Sequence, residues 1–257
     1  MQFPVYLSFG SVSFHPHPVL EAIAYAVALR LSLRNFRQDA QLGLSPEQRT
    51  WVIVGGLLGG VCGAKILVLL QHLDLVWTGE PIALLGLLAQ GKTVVGGLLG
   101  AIAGVELTKV KLGVTQATGD AFAEPLILGT AIGRMGCFLT GLSDKTYGIA
   151  TTLPWGVDFG DGILRHPTQL YEILFLGLLW LGLKFRRRYD YQSGDLFKIY
   201  VISYLMFRFC IDFIKPDFHI LIGCSAIQIA CIVGILIYYS HIPRLFLLRS
   251  ATAPSRS

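Results

Sequence analysis

Two arginines stand inside stretches that are otherwise apolar. Arg134 follows the run PLILGTAI, and Arg208 lies within YLMFRFCIDFI. A charge near mid-bilayer costs at least about 2.5 kcal/mol on insertion scales, so an arginine in such a place is held for a partner or a function. Its planar fork of donors matches the oxygens of a phosphate or a carboxylate. Two arginines from different segments point to a bound phosphate. The competing reading is structural: Glu124 with Arg134, or Arg208 with Asp212 at i,i+4 spacing, as pairs that neutralise each other inside a bundle.

Further polar residues interrupt the apolar pattern: His15, His17 and Glu21 near FHPHP, then Lys92, Asp120, Arg165, His166, Gln169 and Glu172. With the two arginines, Glu124 and Asp212, they are expected toward the outer ends of the spans. A histidine accepts a proton near neutral pH, and Glu21 lies one helical turn beyond His17, so FHPHP is a candidate base. Cys137, three residues after Arg134, is either a nucleophile beside a fixed cation or a small apolar filler. Asp144, Asp158, Asp161 and Asp217 match no compact ligand loop, and the cysteines at 62, 137, 210, 224 and 231 form no CxxC pair. Neither a metal nor a cofactor is expected.

The elements that position these groups follow from composition. Of 257 residues, 53% are hydrophobic and 14% charged, and the mean hydropathy is +0.61. That is the profile of an all-α integral membrane protein. The net charge of +5 is scattered between apolar runs and forms no basic face, which argues against nucleic acid. Seven apolar segments, at residues 19–33, 51–70, 94–107, 121–142, 170–183, 196–214 and 220–240, predict about seven transmembrane helices around a lipid-facing polar cavity, while 81–89 is too short to span. The first ten residues, MQFPVYLSFG, lack a basic n-region, so the first segment is expected to be retained. Glycines at 55, 59 and 63 and at 96, 100 and 104 recur every fourth residue, a pattern that lets helices approach closely. No linker or repeat divides the chain, which reads as one polytopic domain over residues 1–257.

With the amino terminus outside, the inner loops hold Arg30, Arg34, Arg37 and Arg49, then Lys109 and Lys111, then Lys184 and Arg186 to Arg188, and finally Arg244, Arg249 and Arg256. The outer loops hold Lys92, Lys145, Arg165 and Lys215. This asymmetry places the carboxyl terminus in the cytoplasm. The segment LPWGVDFGDG, with its turn chemistry, reads as a substrate-facing or lid loop on the outer surface.

GRMGCFLTGLSDKTYG at 133–148, RHPTQLYE at 165–172, GKTVVGGLLG at 91–100 and FRFCIDFIKPD at 207–217 resemble the prolipoprotein diacylglyceryl transferases of bacterial inner membranes. The resemblance runs from about residue 91 to residue 228, and the first two spans match only in character. It implies a seven-span enzyme that moves the diacylglyceryl group of phosphatidylglycerol to the lipobox cysteine of a prolipoprotein and releases glycerol phosphate. It also implies that Arg134 and Arg208 are the essential arginines, with Asp212 where the family usually has Glu. Gly133 and Gly148 frame the signature, and Gly96, Gly97, Lys92, Gln169, Tyr171 and Glu172 line the substrate.

The departures fall on the other half of the reaction. The family's His-Gly-Gly, whose histidine is a proposed base, stands here as Val95-Gly96-Gly97, and the two asparagines and glutamate of GRxGNFxNGE stand as Cys137, Thr140 and Leu142. Valine takes no proton. The phosphate-binding half is retained and the thiol-activating half is altered, so His15 and His17 are the candidate replacements. Expected partners are phosphatidylglycerol or another anionic phospholipid and a prolipoprotein signal peptide. The alternatives are a paralogue with a different acceptor and a phospholipid-binding membrane protein without catalysis.

Overall fold

A computed structural model describes residues 3–9, 12–38, 43–216 and 223–245. Asp217, Arg249 and Arg256 lie outside the described residues. After a short hairpin of β1 (Leu7–Phe9) and β2 (Val12–Phe14), the chain is helical: α1 (Pro16–Gln38), α2 (Pro46–Gln71), α3 (Leu73–Thr78), α4 (Pro81–Gln90), α5 (Val94–Leu112), α6 (Asp120–Thr140), α7 (Thr168–Arg186), α8 (Asp195–Asp212), α9 (Ala226–Tyr238) and α10 (Ile242–Leu245). One further hairpin, β3 (Val157–Asp158) with β4 (Leu164–Arg165), lies between α6 and α7.

Each of the seven apolar segments corresponds to a long helix, α1, α2 and α5 to α9. Four stretches, Pro46–Gln71, Asp120–Asp144, Thr168–Arg186 and Ala226–Leu245, are long and apolar enough to cross a membrane by themselves. The short Pro81–Ala89 run joins α5 as a fifth candidate, bent by 75° at the break. Polar residues interrupt α1 and α8, among them Glu21 and Arg30 in the first and Arg208 and Asp212 in the second. The chain is an integral membrane protein whose charges fall both on these two helices and, as Arg134 and Glu172, on α6 and α7.

Close packing of α2 on α5 follows from the glycine spacing. A Cβ on Gly59 would come within 2.9 Å of Gly104 Cα and 3.1 Å of the Gly100 carbonyl carbon. Gly55 and Gly63 meet Gly104 and Gly100 in the same way, so the two backbones touch along one seam. α1 runs along α6 on a second set of small residues. A Cβ on Gly129 would lie 3.0 Å from Ala28 Cβ, and one on Gly136 would lie 3.4 Å from His17 Nδ1. Tyr200, Tyr204, Leu176, Leu205 and Cys231 of α7, α8 and α9 fill the main core with Leu67, Val95 and Leu98.

The chain direction alternates, so helix ends collect at two poles. One pole gathers the starts of α1, α5, α7 and α9 and the ends of α6 and α8. The opposite pole gathers the basic residues: Arg244 pairs with Asp195 at 2.5 Å, and Arg187 approaches Glu124 at 3.6 Å.

Candidate active site

At the first pole, α6, α7 and α8 bring three charges together. Glu172 Oε2 lies 2.8 Å from Arg134 Nε and 3.2 Å from Arg208 Nη1, all three side chains being buried. The Arg134 contact is an ion pair rather than an aligned hydrogen bond, because its Nε–H points off the carboxylate. Tyr204 donates its hydroxyl to the other oxygen, Glu172 Oε1, at 2.6 Å. Stacking of Phe175 on Phe207, 4.3 Å apart, keys α7 to α8 and fixes this register. Thus the two arginines converge, and a carboxylate from a third helix holds them. They are 7% and 4% exposed, so they sit in a closed polar cluster rather than an open cavity.

Several buried polar atoms around the pair have no hydrogen-bond partner among the described residues: Arg208 Nε, Asp212 Oδ1 and Gln169 Oε1. Buried groups in this state call for a ligand or an ordered water. Asp212 accepts a short hydrogen bond from Ser225, the N-cap of α9, through its other oxygen and is not paired with Arg208. Gln169 donates to Thr146 Oγ1 at 3.0 Å, and Thr146 donates to Asp144 Oδ2 at 2.6 Å. Tyr171 accepts from Trp155 Nε1 at 2.8 Å and lies 3.1 Å from His166 Nδ1, so it faces the loop between α6 and α7.

His17 reaches the same pole from α1. Its Nδ1 is 2.9 Å from Thr140 Oγ1, and its Nε2 is 3.6 Å from Glu21 Oε2. Glu21 also accepts a short hydrogen bond from Lys92 and one of 3.0 Å from Tyr25. His15 Nδ1 accepts the His17 backbone N–H at 3.1 Å. Arg134 Nη1 lies 3.9 Å from Cys137 Sγ, and Cys137, Asp144 and His17 form one group with donor atoms within 4.8 Å of one another. Thr140 and Cys137 link the histidine to the arginine's helix.

The glycines divide by role. A Cβ at Gly133 meets open space. Gly148 is pinched between strands of loop: a Cβ there would come within 2.7 Å of His166 Cβ and 2.8 Å of the Ile214 carbonyl oxygen. Its N–H donates to the His166 carbonyl at 2.8 Å, tying the loop to the start of α7. Gly96 packs against Gly63 and Leu67 of α2, and Gly97 lies 3.8 Å from Ala64 by the same measure, so both face the helix seam.

Two expectations need correction. Glu124 is not a partner of Arg134; it accepts from Trp180 Nε1 at 2.9 Å and belongs to the basic pole. Asp120 accepts from the N–H groups of Gly194 and Phe197 at 2.7 and 2.8 Å, capping the entry to α8 at that same pole. Fourteen residues of helix separate Asp120 from Arg134, or about 21 Å at 1.5 Å per residue, which sets the two residues toward opposite ends. The loop between α6 and α7 is anchored by Phe159, which is 1% exposed and packs on Phe3 and Phe138 at 5.1 and 5.9 Å. Within it Asp158 Oδ1 accepts three backbone N–H groups, and an Arg165 hydrogen bond of 2.5 Å holds the Asp161 carboxyl below the usual carboxylate range.

The family model for prolipoprotein diacylglyceryl transferase matches residues 4–242. The chain belongs to the prolipoprotein diacylglyceryl transferase family. It is 30% identical over 225 residues to the phosphatidylglycerol–prolipoprotein diacylglyceryl transferase of Bordetella parapertussis, covering 83% of each chain. The enzyme of that name from Geobacter sulfurreducens is 30% identical over 226 residues, covering 84% of this chain and 85% of its own. That of Vibrio vulnificus is 31% identical over 220 residues, covering 83% and 79%. Within a diacylglyceryl transferase frame, Val95 is 1% exposed in the main core, beside Leu67 and Leu98. Cys137 and Thr140 stand between Arg134 and His17, so the altered signature positions and FHPHP meet in space.

Proposed function

We propose that this chain is a multi-pass transferase of the bacterial inner membrane, folded as one polytopic domain over residues 1–257. It moves the diacylglyceryl group of phosphatidylglycerol to an acceptor thiol, the lipobox cysteine of a prolipoprotein, and releases glycerol phosphate. The observation that carries the proposal is the convergence of Arg134 and Arg208 on one point, Glu172 Oε2. That point is where the leaving phosphate would share or take the carboxylate's place. The reaction is substitution at a glycerol carbon: the acceptor thiolate forms a C–S bond, the C–O bond to phosphate breaks, and the leaving group departs with that electron pair as a phosphate monoester. Fixed cations aimed at the charge that develops are often the largest catalytic contribution.

Arg208 Nε offers a further donor to the phosphate, while Asp212 Oδ1 and Gln169 Oε1 offer acceptors to glycerol hydroxyls. Gly133 leaves room beside Arg134 for the lipid. Lys92, Gly96, Gly97, Gly148, Tyr171 and Glu172 complete or support the substrate site. On the acceptor side, His17, oriented by Glu21 and steadied by His15, serves thiol activation, to which Val95 cannot contribute. The amino terminus lies outside and the carboxyl terminus in the cytoplasm, which puts this pole where an exported precursor arrives. The basic pole, with Arg187, Lys109 and Arg244, fits the cytoplasmic side.

The experiment is label release. Full-length protein in vesicles containing phosphatidylglycerol labelled in its headgroup glycerol should release soluble labelled glycerol phosphate when a lipobox peptide is added, and Arg134→Lys should slow it about 10²- to 10³-fold. Release with a cell extract but not with the peptide identifies another acceptor. Saturable lipid retention without release under any condition identifies a non-catalytic binder.

A further inference from the structure

His17, Cys137 and Asp144 come from the start of α1, the last turn of α6 and the 3-10 turn that follows it. One donor atom from each lies within 4.8 Å of the other two. We propose that these three side chains form a site for a divalent cation of the zinc class, whose fourth position takes the acceptor thiol. The role in acceptor activation rests on the transferase reading above.

The donor set is what such a cation selects. Nitrogen, sulfur and oxygen ligands suit borderline-soft zinc, whereas an all-oxygen set would suit magnesium or calcium. Bond lengths of about 2.0–2.3 Å in a tetrahedron hold donor atoms roughly 3.5 Å apart, so a contraction of about 1 Å closes the group. Three protein ligands with one open position is the arrangement of catalytic zinc sites, while structural sites fill all four.

Each ligand also has a supporting partner, as metal ligands require to fix their orientation. Glu21 lies 3.6 Å from His17 Nε2, which leaves Nδ1 as the nitrogen turned toward α6. Nδ1 now sits 2.9 Å from Thr140 Oγ1 and would exchange that contact for the cation. Thr146 donates to Asp144 Oδ2 at 2.6 Å and is itself held by Gln169 at 3.0 Å. Arg134 Nη1, 3.9 Å from Cys137 Sγ, is placed to donate to a thiolate. A dication, one thiolate, one carboxylate and a neutral imidazole sum to zero, and the adjoining Arg134–Glu172–Arg208 cluster, two cations on one carboxylate, keeps a positive charge beside the acceptor thiolate.

The chemistry answers the loss of the family's histidine. A thiol bound to the cation ionises near neutral pH, its proton leaving to water, and the resulting thiolate is the nucleophile. His17 then acts as a ligand rather than a free base. The thiolate would lie next to Arg134, hence next to the phosphate that must leave.

Cobalt titration tests the site without substrate. Full-length protein stripped with a chelator should bind one equivalent of Co2+, develop a near-ultraviolet thiolate-to-cobalt charge-transfer band, and lose it on adding Zn2+. Cys137→Ser should abolish the band, His17→Gln and Asp144→Asn should each weaken binding at least 10-fold, and Cys62→Ser should change nothing. Absence of stoichiometric binding by the wild-type protein, or a band that survives in Cys137→Ser, overturns the site. Label release should fall on chelation and return with Zn2+. Chelator-resistant release by a protein that binds cobalt overturns the role in acceptor activation and leaves the transferase reading intact. No release with any acceptor from the metal-loaded protein overturns that reading, and with it the role, while the titration still reports the site.

Discussion

His17 Nδ1 lies 2.9 Å from Thr140 Oγ1, which joins the first turn of α1 to the last turn of the helix that carries Arg134. The contact is possible because Gly136, one turn earlier on α6, presents no side chain to the imidazole. A histidine more than a hundred residues away in sequence is thereby set beside the signature arginine.

Replacing His17 by Gln is expected to lower turnover by about 10²- to 10⁴-fold, the range for losing a group that activates the nucleophile. Phospholipid binding should stay within about 2-fold, because Arg134 and Arg208 are untouched. Restoring the family residue by Val95→His in that variant should not rescue it. Position 95 is buried in the main core with Leu67 and Leu98, where an added imidazole must be desolvated and overpacks the site. Steady-state kinetics against both substrates checks the split, and unchanged turnover in His17→Gln counts against an acceptor-side role.

Arg134→Lys keeps the charge and loses the fork. Turnover should drop about 10²- to 10³-fold, as for removal of one preorganised donor to a developing anion, with the folded protein still recoverable from membranes. Near wild-type turnover in this variant would mean that the leaving phosphate does not use the guanidinium.

Glu172→Gln should do the reverse of what its position near a phosphate site first suggests. Removing the carboxylate leaves two buried guanidinium groups uncompensated, and breaking a buried ion pair in this way costs about 3–5 kcal/mol. Thermal denaturation in detergent should show a large fall in Tm, and phosphatidylglycerol should restore more of it than it adds to the wild type. Equal shifts in the two proteins would separate Glu172 from the anion site.

The fold was legible where its causes are local. Apolar length reports the helices, and the four-residue glycine spacing reports the α2–α5 seam, because both are properties of one segment or two. The meeting of Arg134 and Arg208 followed from the expectation of a shared anion, since two like charges converge in an apolar setting only on a common negative group, here Glu172 Oε2. The bridging role of Glu172 was not, because its nearest charged neighbours come from other helices. Glu124 was grouped with Arg134 since both lie on one apolar segment, yet a helix that crosses the membrane delivers its two ends to opposite faces. Asp144 looked like one of several loop carboxylates, and the turn after Thr140 that brings it to Cys137 and His17 leaves no periodic signal. Gly96 and Gly97 carry the family's motif letters and also face the helix seam in this chain.

The seam itself is testable. Gly59→Ala places a methyl within 2.9 Å of Gly104 Cα, and overpacking of this kind costs about 1–3 kcal/mol. Gly86→Ala, where a Cβ meets nothing within 4 Å, should be silent. A fall in Tm for the first variant and none for the second is the expected pattern in detergent-solubilised protein.

Orientation is independent of catalysis. Cysteine-accessibility labelling should find residues 145–165 outside and residues 184–188 inside. The inverse result would put the arginine pole at the cytoplasmic face, away from exported precursors.

The most direct measurement is the mass of a lipobox peptide incubated with the purified full-length protein and phosphatidylglycerol. The expected result is a gain of one diacylglyceryl group on the peptide's cysteine through a thioether that resists hydroxylamine, formed with wild-type protein and not with Arg134→Lys or Arg208→Lys. An unmodified peptide in the presence of folded, phospholipid-binding protein, or a modification that forms equally well without both arginines, would contradict it.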